Sequence, residues 1–438
     1  MNKSVITHRK VWSLAGPIII SNLSIPLVGA VDTAVVGHLP APQAIGAVAL
    51  GALIFSFLFW GFGFLKMGTT GFIARAFGAS DQQLLSEILS RAILLAIGFG
   101  VICVLVGHPL IQFALYLLDS TEQVESLTAS YAEIRIWSAP ATLCTYVFTG
   151  VFIGMHNTRN VLIVLLALNV TNILLDFLFV IVFSMGVEGV AWATLIAEYF
   201  AVACGFVLLR HPIITALKLF SWQRVMERQA LIELLKANGD IFIRTLCLVF
   251  SLSYFTALSA GMGELVLAAN AVLLHFHSIM SYALDGFANA AEALSGSAYG
   301  ARDRQTFKRA IKLTSVWALI FSGLISVIYW LFGELMLRFF TSIDDVLVTA
   351  KVYLPWMIVA PIVSVWSFQI DGIFIGSSYT KEMRNAMLIS MVVYLSLLYW
   401  LVPLWGNHGL FLCLSVFMVI RAITLGCYYP RIIRAMSD

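Results

Sequence analysis

The chain repeats itself, and that repeat narrows the folds open to it. Ala74–Asp81 (ARAFGASD) matches Gly296–Asp303 (GSAYGARD), with Gly78 falling on Gly300, 222 positions later. Gly150–Gly154 (GVFIG) returns as Gly372–Gly376 (GIFIG), again 222 positions on. Gly186–Val190 (GVEGV) returns as Gly406–Leu410 (GNHGL) at a spacing of 220. Three agreements in one order, at a nearly constant spacing, mark two related halves. Each half reads as six apolar runs of membrane-crossing length, about 20 residues apiece. They fall near residues 12–36, 44–72, 88–107, 131–155, 160–183 and 187–209, then 240–260, 266–296, 311–332, 353–377, 386–404 and 409–429. Six spans per repeat preserve orientation, so the halves are expected to be related by an axis along the membrane normal. That is the parallel-repeat plan of many secondary transporters.

Composition agrees. Hydrophobic residues make up 61% of the chain and charged residues 11%, with a mean hydropathy of +0.94. A soluble domain carries about 25% charged residues. The expected fold is therefore an all-α polytopic membrane protein, with twelve transmembrane helices in two pseudo-symmetric six-helix lobes. Residues 1–210 form the expected amino-terminal lobe, 211–239 a cytoplasmic amphipathic linker carrying Trp222, and 240–438 the carboxy-terminal lobe. Of the 26 lysines and arginines, only Arg135, Arg338 and Lys351 fall on one side of the expected topology, with Glu122, Glu125, Asp344 and Asp345. The basic majority marks the cytoplasmic side and places both termini there. The net charge of +3 arises in these loops and points to no nucleic-acid partner. The six cysteines lie inside apolar runs without paired spacing, so they read as packing residues, not disulfides or metal ligands. Lys3, Arg9 and Lys10 lead straight into a long first run with no cleavage pattern after it, so no cleavable signal is expected.

A carboxylate inside a span is expensive and is by default a functional candidate. Asp32 stands in the first span with no basic residue near it in sequence, a candidate to exchange a proton during a cycle. Asn169, Asn172 and Asp176 in the fifth span are spaced i, i+3, i+7, which puts them on one helical stripe. Such a stripe can hold a proton or offer oxygens to a small cation, or simply bind helices together. Thr194 and Glu198 stand one turn apart in the sixth span and can extend that network. In the second half Asp285 lies in span eight and Asp371 in span ten, where the first half has Gly63 and Thr149. The halves are thus chemically unequal at matching depth. Lys66, within a turn of Gly63, is the expected partner of Asp285. Pro17 and Pro26 interrupt the hydrogen bonding of span one upstream of Asp32 and are candidate hinges. Gly186 and Gly189, like Gly406 and Gly409, read as tight-turn residues entering spans six and twelve.

At these residues the chain resembles the multidrug and toxic compound extrusion (MATE) transporters, in particular their DinF-like branch. The resemblance runs end to end. It is most specific at Pro26–His38 (PLVGAVDTAVVGH), Thr69–Gly78 (TTGFIARAFG), Ile134–Pro140 (IRIWSAP), Ala197–Tyr199 (AEY), Tyr282–Ala288 (YALDGFA), Ala298–Asp303 (AYGARD) and Asp371–Gly376 (DGIFIG). It implies two six-helix lobes and export of bulky, often cationic amphipathic compounds driven by inward flow of protons or sodium. It also implies that Asp32 is the first-helix carboxylate whose protonation bends that helix, with Pro17 as the bend point. Asn172, Asp176 and Thr194 are similar to the amino-lobe polar cluster, and Asp371 to the tenth-helix carboxylate that handles the coupling ion. Two departures stand out. Thr149 occupies the place where some relatives have a helix-four asparagine, and no carboxylate stands in the middle of span seven, Leu246–Leu258. Both count against sodium and leave protons as the preferred coupling ion.

The leading expectation is a monomeric proton-coupled drug antiporter of the bacterial inner membrane, with no resident metal or other cofactor. A sodium-coupled antiporter is the near alternative. A flippase for lipids or lipid-linked sugars would require cations in the cavity, for which only Lys66, Arg244 and Arg421 are available. An intramembrane enzyme would need a catalytic constellation. His275 and His277, two apart on different helical faces, supply none.

Overall fold

The structure, a computed structural model, describes residues 6–36, 42–118 and 120–436, apart from the side chains of residues 26–30, 32–34, 36 and 42. Among the described residues every regular element is helical. In the first half these are α1 (His8–Val36), α2 (Pro42–Gly61), α3 (Phe64–Gly78), α4 (Gln82–Leu105), α5 (Gly107–Leu118), α6 (Glu122–Arg135), α7 (Ala139–Gly154), α8 (Thr158–Asp176), α9 (Gly186–Leu208), α10 (Arg210–Lys218) and α11 (Trp222–Val225). The second half contributes α12 (Arg228–Ala260), α13 (Glu264–Gly300), α14 (Arg304–Phe340), α15 (Asp344–Gly376), α16 (Thr380–Gly426) and α17 (Tyr429–Ala435).

Ten helical stretches among the described residues are long and apolar enough to cross a membrane. The last of these contains α16, which turns at Gly406 (φ 54°, ψ −131°) into two arms. With α1, 29 residues long, they account for the twelve expected helices. The chain is a multi-pass membrane protein. Its helices outrun the apolar runs because intrahelical hydrogen bonds persist where the helix emerges into water.

The chain forms two compact units. One is Ile20–Leu235; the other joins Lys236 and the residues after it to the part of α1 up to Ile19. In the latter unit Trp12 packs edge-on against Phe287 and Trp317, and a Cβ at Gly286 would meet Ile19 and the Ala15 carbonyl. Within the Ile20–Leu235 unit, the linker helix α11 is fastened to α4 by buried Arg91. Arg91 Nε donates to the Val225 carbonyl at 3.0 Å and Nη2 to the Arg224 carbonyl at 2.5 Å.

The repeat is realised bond for bond. After α3, Ser80 is left-handed (φ 56°), and the amides of residues 79, 80 and 81 donate to carbonyls 75, 77 and 76. After α13, Arg302 is left-handed (φ 53°), and residues 301, 302 and 303 donate to 297, 299 and 298. Each turn ends in an aspartate N-cap. Asp81 Oδ1 accepts from the Leu84 amide at 2.9 Å, and Asp303 Oδ1 from the Thr306 amide at 3.0 Å. His156 (φ 62°) and Ser378 (φ 60°) repeat the same device 222 residues apart, and Gly186 and Gly406 are both left-handed. The paired glycines explain the GVFIG and GIFIG signatures. Gly150 and Gly154 on α7 lie against the carbonyls of Lys66 and Thr70 on α3. Gly372 and Gly376 on α15 lie against those of Ala288 and Glu292 on α13, the same positions 222 residues later. Small residues at i and i+4 let membrane helices approach backbone to backbone.

Candidate functional site

In the Ile20–Leu235 unit, α8 turns Asn169, Asn172 and Asp176 inward, while Val170 and Leu174 on its other face are exposed. The i, i+3, i+7 spacing thus acts as read: all three polar side chains are buried, and Asp176 has no solvent exposure. Asn169 Nδ2 donates to Ser24 Oγ on α1 at 2.7 Å. Asn172 Nδ2 donates to Thr194 Oγ1 on α9 at 3.3 Å, and that hydroxyl donates to the Val190 carbonyl at 3.0 Å. Asn172 Oδ1 is buried with no hydrogen-bond partner among the described residues. Asp176 is the last α-helical residue of α8; Phe177–Val182 continues as a π-helical segment. A π segment widens the turn by one residue and often accompanies functional positions.

Glu198 stands one turn beyond Thr194 but belongs to another set of contacts. It faces Arg135 at the end of α6 and Thr142 in the first turn of α7, and its Oε2 is buried without a hydrogen-bond partner among the described residues. Arg135 lies over the rings of Phe55 and Tyr131, 5.1 and 5.5 Å from their centroids. The i+4 spacing made Thr194 and Glu198 look like one network, but the neighbouring helices give each its own partners.

In the unit containing Lys236 and beyond, Asp371 on α15 is buried between two guanidiniums. Arg244 on α12 and Arg421 on α16 both donate an Nη2 to Asp371 Oδ2, the latter at 2.6 Å. Arg421 is the lone charge in its apolar run, and Arg244 shares its run with Asp240 alone; an unneutralised cation in a span is the sequence signal that could have linked them to Asp371. A second group, with no such signal, is an amide pair. Asn270 Nδ2 donates to Asn407 Oδ1 at 2.7 Å and Asn407 Nδ2 to Asn270 Oδ1 at 2.9 Å, with Ser259 Oγ also accepting from Asn270.

Lys66 and Asp285 lie in different units. Lys66 is half-buried on α3, where its carbonyl accepts from Thr70 Oγ1; Asp285 is half-buried on α13, where Oδ2 accepts from Asn289 Nδ2 at 2.9 Å. The backbone of α1 is helical through Pro17 and Pro26, with Pro17 half-buried. The side chains of Pro26 and Asp32 lie outside the described residues.

A twelve-helix membrane bundle, built from two matching halves with polar clusters buried inside its spans, defines a polytopic transporter. The MatE family model matches it twice, at residues 17–178 and 241–400, once in each half; the chain belongs to the MatE family. It is 39% identical to DNA damage-inducible protein F of Escherichia coli over 431 residues, 97% of this chain and 92% of that protein. It is 24% identical to the probable multidrug resistance protein NorM of Idiomarina loihiensis, over 97% of this chain and 94% of that protein. Among solved structures, a transporter of the MOP superfamily from Pyrococcus furiosus has the same fold. Its TM-score is 0.88 at 18% identity, over 98% of this chain and 97% of that one.

Proposed function

We propose that the chain is a secondary active efflux transporter that exports amphipathic, often cationic drug-like compounds in exchange for protons by alternating access. The observation that carries this reading is the buried cluster of Asp176, Asn172 and Thr194 at the α-to-π junction of a MatE-family chain. A relative supports the substrate class, since NorM of Idiomarina loihiensis is named a probable multidrug resistance protein.

The chemistry favours a proton. A protonated Asp176 is a donor one turn from Asn172 Oδ1, which lacks one; the ionised form only accepts. Gain or loss of that proton therefore changes the hydrogen bonding along α8, beside the Asn172–Thr194 bond that ties it to α9. To drive transport, the proton must bind with different affinity in the two access states. Asp32 on α1 is the second candidate carrier, on the strength of the family resemblance. Asp371 already serves two guanidiniums and is a poorer sodium ligand than a free carboxylate, which favours protons over sodium. The transporter would work as a monomer in a bacterial cytoplasmic membrane with both termini inside, using the coupling ion and no other cofactor.

The test is efflux of ethidium or norfloxacin from proteoliposomes under a proton gradient or a sodium gradient, for the natural protein, Asp176→Asn and Asp32→Asn. Proton-driven efflux that is lost in Asp176→Asn is the expected result. Efflux driven by sodium alone, or undiminished proton-driven efflux in both variants, would overturn the mechanism.

A further inference from the structure

An open groove of about 850 Å³ lies between the end of α6 and α9 in the Ile20–Leu235 unit, apart from the buried polar cluster. Trp192, Ile196, Tyr199 and Phe200 form one wall, an exposed stripe along α9 at helical spacing. Trp137, in the turn that joins α6 to α7, forms the other, and Glu133 stands one helical turn before it. Tyr199 Oη donates to the Trp137 carbonyl at 3.0 Å, which ties the two walls together. Helix α9 is one of the membrane-crossing stretches, and these exposed side chains form part of its lipid-facing surface. Glu133 lies at the edge of the fourth apolar run, on the side that carries few lysines and arginines. Arg135, two residues on, lies over the rings of Phe55 and Tyr131. Among the described residues the ion-pair partner of Glu133 is exposed His108, at 3.3 Å, which is charged only when protonated. The groove thus joins aromatic walls to an acidic rim. Pro355 and Val359 stand 222 residues after Glu133 and Trp137, so the fold shared by the two halves does not require this arrangement.

We propose that this groove is a lipid site selective for a phospholipid with a primary-ammonium headgroup. An acyl chain lies along Trp192, Ile196, Tyr199 and Phe200, and the ammonium donates to the Glu133 carboxylate. Charge complementarity selects the headgroup, because an anionic one would meet a carboxylate at the rim. Hydrogen bonding sharpens the choice: a primary ammonium has three N–H donors, like that of lysine, and a trimethylated one has none. The aromatic faces add attraction for a cation. The volume lies within the range of about 300–1,000 Å³ typical of small-molecule sites. The occupant is a bilayer lipid because the walls belong to the surface that faces the bilayer. The site is independent of which ion drives transport and of which compound is carried.

The test places the full chain in phosphatidylcholine nanodiscs that contain a small, equal fraction of one lipid with brominated acyl chains, which quench nearby tryptophans. The brominated lipid is phosphatidylethanolamine, its N,N-dimethyl form, phosphatidylcholine or phosphatidylglycerol. Brominated phosphatidylethanolamine is expected to quench most. Its relative association constant should exceed that of phosphatidylcholine roughly fivefold, the upper range for an exposed ion pair. Glu133→Gln should abolish the preference, and Trp137→Phe/Trp192→Phe, which keeps the walls aromatic, should abolish the extra quenching. The proposal falls if phosphatidylcholine or phosphatidylglycerol quenches as strongly as phosphatidylethanolamine, if Glu133→Gln keeps the preference, or if the double variant keeps the extra quenching. The methylation series decides the matter on the natural protein alone. Quenching should decline from ethanolamine through the dimethyl form to choline, and quenching indifferent to methylation would overturn the assignment.

Discussion

Replacing Gly150 with alanine tests the close approach of α3 and α7 that the repeat encodes. A Cβ there would sit 2.6 Å from the Lys66 carbonyl oxygen and 3.1 Å from Thr69 Cβ. Neither atom is the free end of a flexible chain, so the helices themselves must part, by roughly 0.5–1 Å. A gap of that size forfeits a quarter to a half of each dispersion contact across the interface. Overpacking costs roughly 1–3 kcal/mol, against about 1 kcal/mol recovered from the better helix propensity of alanine. The expected net loss is roughly 1 kcal/mol and up to about 2 kcal/mol, a fall in Tm of roughly 2–8 °C for a unit of this size. Gly98 on α4 is the control, because a Cβ there meets nothing within 4 Å. Gly98→Ala should raise Tm by a few degrees through propensity alone. Gly372→Ala, whose Cβ would press on the Ala288 carbonyl, should fall at least as far as Gly150→Ala. Thermal unfolding in detergent can be followed by a thiol-specific fluorophore reaching the buried Cys103, Cys144 and Cys413. A Gly150→Ala protein that gains stability as Gly98→Ala does would refute the packing argument.

Three further outcomes are expected. Asp371→Asn leaves two buried guanidiniums without their carboxylate and should cost about 3–5 kcal/mol, whereas the double variant Asp371→Leu/Arg421→Met should lose less than the sum of its single changes, as measured by chemical unfolding. Arg91→Ala frees the Arg224 and Val225 carbonyls, so trypsin should cut next to exposed Arg224 roughly tenfold faster, read by gel against the natural protein. Asp81→Ala and Asp303→Ala each remove a helix N-cap worth about 1 kcal/mol and should lower Tm by similar amounts; a large inequality would contradict the equivalence of the two turns.

Much of this architecture is legible in one dimension because its causes are local. The 222-residue spacing picks out Gly150 and Gly372, Asp81 and Asp303, and Ser80 and Arg302, since turn geometry and helix caps depend on a few consecutive residues. Helical periodicity likewise places Asn169, Asn172 and Asp176 on one buried face of α8. Partners are a different matter. Asp371 meets arginines 127 and 50 positions away, and Asn169 meets Ser24 across 145. Glu198 turns to Arg135 although Thr194 is its neighbour on α9. Sequence alone determined the spans, their pairing into halves, the turns between them and the inward face of α8. Which polar groups meet across those helices was decided only by the tertiary packing, because the period of a helix sets the direction of a side chain while the axial rotation and offset of its neighbours set what it finds there.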